Sequence, residues 1–151
     1  MDILLTEALP HIQSLPNQTI VVKIGGSTLG SGDTSLDDLV ALQRLGARVV
    51  VVHGGGAEIS DWLKRIGKEP RFVRGLRVTD AETLDVAVMV LAGKVNKELV
   101  AGIAARGGDA VGMAGPDGGV LRTRLQNEEL GFVGEITEVC TDVLESLLGA
   151  G

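Results

Sequence analysis

The sequence predicts an α/β protein, a three-layer αβα sandwich around a mainly parallel central sheet. Three observations carry that expectation. The apolar content is mostly Val, Leu, Ala and Ile, with no tyrosine and only Trp62, Phe72 and Phe132 as aromatics, which suits aliphatic strands and Ala/Leu helices. Glycine supplies 22 of the 151 residues, about twice the average share, and clusters where periodic segments stop. Finally, apolar runs alternate with helical patterns over short connections, which implies right-handed crossovers and parallel strands.

Taken in order, Leu4, Leu5, Ala8, Leu9 and Ile12 fall at helical spacing interrupted by Pro10. Residues 1–16 therefore read as a short, kinked helical extension ending near Ser14-Leu15-Pro16. Residues 17–151 read as one lobe. Thr19 to Ile24 is a β-branched run with a lysine near its end, a buried strand stopped by Gly25-Gly26. Asp33 or Ser35 can cap a helix carrying Leu36, Leu39, Val40 and Leu42 on one side, closed by Gly46. Arg48 to Val52 is a second strand running into His53-Gly54-Gly55-Gly56, followed by a helix through Ile59, Trp62, Leu63 and Ile66 that closes at Gly67.

Arg71 to Val78 predicts a hairpin turning at Arg74-Gly75, and Thr79-Asp80-Ala81-Glu82 a capping sequence. The cap opens the longest helix, to about Ala105, with Leu84, Ala87, Val88, Leu91, Val95 and Leu99 recurring along it. Ala110 to Ala114 predicts a third strand. Asp117-Gly118-Gly119 reads as a turn between short strands, Gly131 to Glu138 as another extended piece, and a last helix starts at Thr141.

A net charge of −6 and the lack of any Lys/Arg run argue against a nucleic-acid surface. Cys140 is alone, so no internal disulfide forms, and no metal-ligand spacing is visible. The first fifteen residues lack a basic region and carry Asp2, Glu7 and Pro10, unlike a signal peptide. No apolar run approaches the roughly 18 residues of a membrane span. A soluble cytoplasmic protein is expected.

The chemistry gathers at two glycine clusters, Gly25-Gly26 and Gly54-Gly55-Gly56, each at the end of a strand and one βαβ length apart. In open parallel sheets ligands collect beyond the carboxyl ends of the strands, so both clusters are expected to face one crevice. Glycine backbone there approaches an anion closely, and amides at a helix start favour negative charge. Lys23 stands in an otherwise aliphatic strand, where an amine is costly unless it reaches solvent or an anion. The bland alternatives are tight turns without a ligand and an edge lysine reaching outward.

Better-known glycine motifs fail. Gly25 to Gly30 has P-loop spacing, but Ser31 stands where the lysine is needed. Gly54-x-Gly56 is followed by Ile59 instead of the third glycine of a dinucleotide fingerprint. An esterase oxyanion loop would need a G-x-S-x-G nucleophile and a later histidine, and His53 is the last histidine. His53 itself reads as a hydrogen-bonded strand-end residue with no catalytic role. Arg71, Arg74 and Arg77 lie in one hairpin and suit bidentate carboxylate recognition, without spacing choosing among them.

Val22-Lys23-Ile24-Gly25-Gly26-Ser27, then Val52-His53-Gly54-Gly55-Gly56, then Gly75-Leu76-Arg77-Val78-Thr79-Asp80 resemble the N-acetylglutamate kinases of the amino acid kinase family in order and spacing. Gly93-Lys94-Val95-Asn96-Lys97-Glu98 and Leu130-Gly131-Phe132-Val133-Gly134-Glu135 extend the resemblance, which runs from about Leu9 to the last residue. The lysine-glycine-glycine strand is shared with the wider superfamily; the segment from Gly75 to Asp80 is more specific.

The resemblance implies an amino acid kinase-like, amino-terminal lobe that binds N-acetyl-L-glutamate. Lys23 would stabilise the phosphoryl group in transfer, and Gly25 and Gly26 would donate to phosphate oxygens. Gly54, Gly55 and Gly56 would embrace the substrate and its reacting carboxylate, and Arg77 would bind the α-carboxylate. Phosphoryl transfer from ATP with Mg²⁺ belongs to the complete enzyme, with no metal ligand and no tightly bound cofactor expected from this chain. The family's nucleotide-binding carboxyl-terminal lobe has no counterpart here, so the chain alone is expected to be a poor or inactive kinase. Homodimers would pair through the helix over 80–105. His11 stands where arginine-inhibited relatives commonly carry tyrosine, a departure from the pattern of arginine feedback. Rival readings are a kinase for another acylated amino acid, of aminoadipate type, and a non-catalytic binding or dimerisation module.

Overall fold

The structure, a computed structural model, describes residues 5–25 and 34–150. Its elements follow the expected order. Helix α1 (Leu5–Ser14) contains Pro10 and precedes strand β1 (Thr19–Ile24). Helix α2 (Ser35–Arg44) leads into β2 (Arg48–His53), and α3 (Gly56–Arg65) into the hairpin β3 (Phe72–Val73) and β4 (Leu76–Arg77). A long helical rod follows, built from α4 (Ala81–Val88), a π-helical segment (Met89–Val95) and α5 (Asn96–Ala104). Strands β5 (Leu121–Leu125) and β6 (Gly134–Val139) and helix α6 (Asp142–Ala150) complete the order.

Strands β1 and β2 pair in parallel, Thr19 opposite Arg48 through Ile24 opposite His53. One face of the pair carries Val22, Ile24, Val49 and Val51 into a cluster with Leu39 of α2, Ile59 and Leu63 of α3, and Val86, Val90, Val95 and Leu99 of the rod. The other face leaves Val21 65% and Val52 46% exposed, with Lys23 exposed opposite Val52. β5 and β6 form a separate antiparallel pair.

Three helices close in the same way. After α2, α3 and α5, Gly46, Gly67 and Gly107 take positive φ (85°, 81° and 74°). The amides of each glycine and its successor return to the last turn, as in Lys68 N to Leu63 O at 2.9 Å. This closure satisfies carbonyls that the helix leaves orphaned.

Three expectations need correction. Ala110–Ala114 forms no strand. Side chains hold that region instead of a backbone ladder: Gln43 Nε2 donates to Asp109 O at 2.9 Å, and Asn96 and Lys97 donate to Met113 O and Gly112 O, both at 3.4 Å. The N-cap of α2 is Thr34, without a side-chain cap bond, and not Ser35; Asp33 lies outside the described residues. The rod's core stripe is also displaced. Thr83, Val86, Val90, Val95, Leu99 and Ile103 are buried, while Val88 is 56% exposed. The step from Val90 to Val95 is five residues, because the π segment inserts an additional residue into the turn. A strict 3.6 period cannot anticipate that shift.

Candidate functional site

The rim of the parallel pair assembles the site. Because β1 and β2 run the same way in register, their carboxyl ends share one edge, and Gly54 N donates to Ile24 O at 3.3 Å. Lys23 and Gly25 therefore sit on the same rim as Gly54–Gly56. The partner glycine, Gly26, lies outside the described residues.

The three glycines after β2 are not equivalent. Gly55 is buried, and a Cβ there would approach Leu91 Cδ2 to 2.7 Å and Val95 Cγ2 to 3.4 Å, so any side chain would have to displace Leu91 of the π segment. A Cβ at Gly54 or Gly56 would meet nothing within 4 Å, and neither residue has positive φ. Internal packing and backbone geometry therefore leave the choice of glycine at 54 and 56 unexplained, and the backbone there is open to close approach. Helix α3 starts at Gly56 without a side-chain cap, so its first-turn amides face the rim as partial positive charge.

The β3–β4 hairpin delivers one arginine to this rim. Arg74 (φ 51°) and Gly75 (φ 82°) form the turn, which suits the twist of a two-residue hairpin loop. The hairpin places Arg74 at the tip and Arg77 against α3. Arg77 Nη2 donates to Gly56 O at 2.8 Å and to Ser60 Oγ at 2.9 Å, and its guanidinium lies 4.8 Å from the Phe72 ring centroid. Arg77 Nη1 is buried and has no partner. Burial draws the Arg77 pKa down from its ordinary value, yet a guanidinium stays charged. Half of this rigid fork is thus anchored to the glycine loop, while the other half is desolvated and uncommitted. Such a donor pairs best with a carboxylate or phosphate.

The hairpin's exit is locked from behind. Asp80 caps α4 by accepting from Thr83 N at 2.9 Å and receives Lys68 Nζ at 2.6 Å, which also reaches Glu82 at 2.8 Å. The Lys68 hydrogen bond, then the Thr83 amide, hold the Asp80 carboxyl down to about 2.

Sequence reasoning brought Lys23, Gly25, Gly54–Gly56 and Arg77 to one place but missed three supporting residues. Ser60 and Phe72 clamp Arg77, and no local spacing marks a serine or phenylalanine for that task. Asn96, which reaches His53, lies in Gly93–Glu98, a segment whose mark in the sequence is its resemblance to a family. Among the described residues no group of three or more His, Cys, Asp or Glu side chains could hold a metal ion.

The chain belongs to the amino acid kinase family, whose sequence profile matches residues 18–151. It is 50% identical over 151 residues to the acetylglutamate kinase of Acaryochloris marina, covering 97% of this chain and 53% of that protein. It is 48% identical over 152 residues to that of Synechocystis sp., covering 98% and 51%. The chain thus spans about half the length of the curated relatives it matches. A crystal structure from Streptococcus mutans superposes with a TM-score of 0.80 at 27% identity, over 87% of this chain and 55% of that one. N-acetylglutamate synthase from Neisseria gonorrhoeae, complexed with coenzyme A and N-acetylglutamate, gives 0.76 at 27% identity over 96% and 34%. Among the described residues no helix is long and apolar enough to cross a membrane.

Proposed function

We propose that this chain supplies the acyl-amino-acid-binding side of a kinase that moves the γ-phosphoryl group of ATP onto the side-chain carboxylate of N-acetyl-L-glutamate. The observation that carries the reading is the Arg77 fork, half bound to the glycine loop and half buried without a partner. Arg77 takes the α-carboxylate, and the open backbone of Gly54–Gly56 holds the reacting carboxylate. Lys23, Gly25 and Gly26 meet the phosphoryl group arriving from ATP, which enters with Mg²⁺ carried on its phosphates. A carboxylate oxygen forms a bond to the γ-phosphorus as the bond to the ADP oxygen breaks. Two anions must be brought together, so catalysis consists of positioning and charge compensation, and no protein nucleophile is required. The approximately 50% identity to acetylglutamate kinases supports this substrate.

Titration calorimetry of the chain with N-acetyl-L-glutamate tests the reading. Binding is expected, and Arg77→Ala weakens it roughly 10–100-fold, the scale of a charged hydrogen-bonding group removed. An unchanged affinity in that variant sinks the assignment. Binding of the acyl amino acid with no phosphorylation by any protein containing this chain would favour a non-catalytic binding module.

The cytoplasm is the proposed location, in keeping with a biosynthetic role in making arginine. The rod over 80–105 is proposed as a homodimer contact, supported by Val88 and Met89, which are 56% and 62% exposed on it.

A further inference from the structure

We propose that Asn96 is a positioning residue. Its amide holds the His53 ring in the Nδ1–H tautomer, and the ring in turn holds the Gly54 carbonyl and with it the course of the Gly54–Gly56 backbone. Donor and acceptor capacities decide the chain of bonds. Lys97 Nζ can only donate and lies 3.0 Å from Asn96 Oδ1. The other end of the amide, Nδ2, lies 3.3 Å from His53 Nε2 and 3.4 Å from Met113 O. An amide NH₂ group only donates, so Nε2 is the acceptor and the ring proton sits on Nδ1. From there it donates to Gly54 O at 3.1 Å.

Packing holds the relay in place. Asn96 is only 7% exposed, and a side chain at Gly112 would overlap its Oδ1, so that glycine is the recess into which the amide fits. The π segment ends immediately before Asn96 and also presses Leu91 and Val95 against Gly55. The same irregular stretch of helix therefore adjoins the loop at Gly55 and, through Asn96 and His53, governs it at Gly54. The functional weight of the relay rests on the reading of Gly54–Gly56 as the carboxylate-holding loop.

Imidazole ¹⁵N spectra of the chain test the inference, recorded where the ring carries a single proton. There are 2 histidines, so His11→Gln assigns His53. The expected result is a pyrrole-type Nδ1 and a pyridine-type Nε2. Asn96→Asp offers only acceptors and places a proton on Nε2, shifting the backbone amide signals of Gly54–Gly56. Lys97→Met, a change at an exposed side chain, removes the donor to Oδ1 and leaves the long bond to Met113 O to orient the amide, so the Nε2–H tautomer should gain population, which keeps the test open if Asn96→Asp fails to fold. A wild-type proton on Nε2 overturns the proposal. So does a set of folded variants in which neither the tautomer nor the glycine amides move. Adding N-acetyl-L-glutamate to the same samples separates the two questions: the expected tautomer without ligand-dependent shifts refutes the substrate reading and leaves the relay standing.

Discussion

Single side chains at this rim work through what their neighbours leave them free to do. Arg77 is useful because Gly56 O and Ser60 Oγ occupy one nitrogen while the other stays buried and unpaired. Lys23 is exposed in a strand of aliphatics, and under the proposed function it would follow the phosphoryl charge in transfer. In an active kinase containing this chain, Lys23→Ala should lower turnover roughly 10²–10³-fold, the loss expected for one preorganised charge stabiliser. A kinetic assay showing normal turnover with weakened substrate affinity would contradict that role. Asp80 carries a different consequence. Its folded pKa of about 2 lies below the ordinary 3.8, so the folded chain binds that proton less tightly than the unfolded chain does. Its contribution to stability is complete above the ordinary value and is lost as pH falls through about 4 to about 2. Lys68 is shifted up by the same contact, so its share fades only at the alkaline extreme. Urea melts across the acid range should show Asp80→Asn less stable at neutral pH and flatter toward low pH; an undiminished acid slope would place the effect elsewhere.

At the level of elements, connections matter as much as helices and strands. The hairpin presents Arg77 only because Arg74 and Gly75 accept positive φ. The segment after β5 is tied to the hairpin's exit: Thr79 N donates to Leu130 O at 2.8 Å and Phe132 N to Thr79 O at 2.7 Å. Gly131, between them, has φ 68° and ψ −131°, and a side chain there would overlap the Thr79 carbonyl. Gly131→Ala should therefore cost at least about 2 kcal/mol, from backbone strain plus a contact that only backbone movement relieves. Denaturant unfolding with no loss in midpoint would show the tie to be dispensable. The resemblance to a family marks Leu130–Glu135 as a unit. Its physical reason, a clasp on the residue next to the helix cap, shows only when the two segments meet.

For the molecule as a whole, one core gathers β1, β2, α2, α3 and the rod, with Leu63 fully buried. Beyond that core, apolar side chains stay exposed on the outer face of the parallel pair and on the rod. If the rod mediates pairing, Val88→Glu with Met89→Glu should convert dimers to monomers in sedimentation equilibrium. Both positions are exposed, so unfolding stability should change by no more than about 0.5 kcal/mol apart from that lost with association. An unaltered sedimentation profile would exclude this face as the contact.

By itself the sequence determined the alternation of strands and helices, the parallel pair, the hairpin at Arg74-Gly75, a capping sequence over Thr79–Glu82 and the glycine closures at Gly46 and Gly67, while the structure made Asp80 the cap. Each follows from a local preference: β-branched runs, positive φ at glycine, or a carboxylate within reach of free amides. The sequence also determined that Lys23 and both glycine clusters belong to strand ends, since parallel strands share their carboxyl edge. The family resemblance singled out Arg77 among the three arginines, and the tertiary structure decided how it reaches the rim, through the lie of the hairpin on α3. The tertiary structure also decided that Ala110–Ala114 is held by side chains and that the rod's core stripe slips by one residue at the π segment. Those outcomes depend on contacts between segments far apart in the chain, and no local period or spacing encodes them.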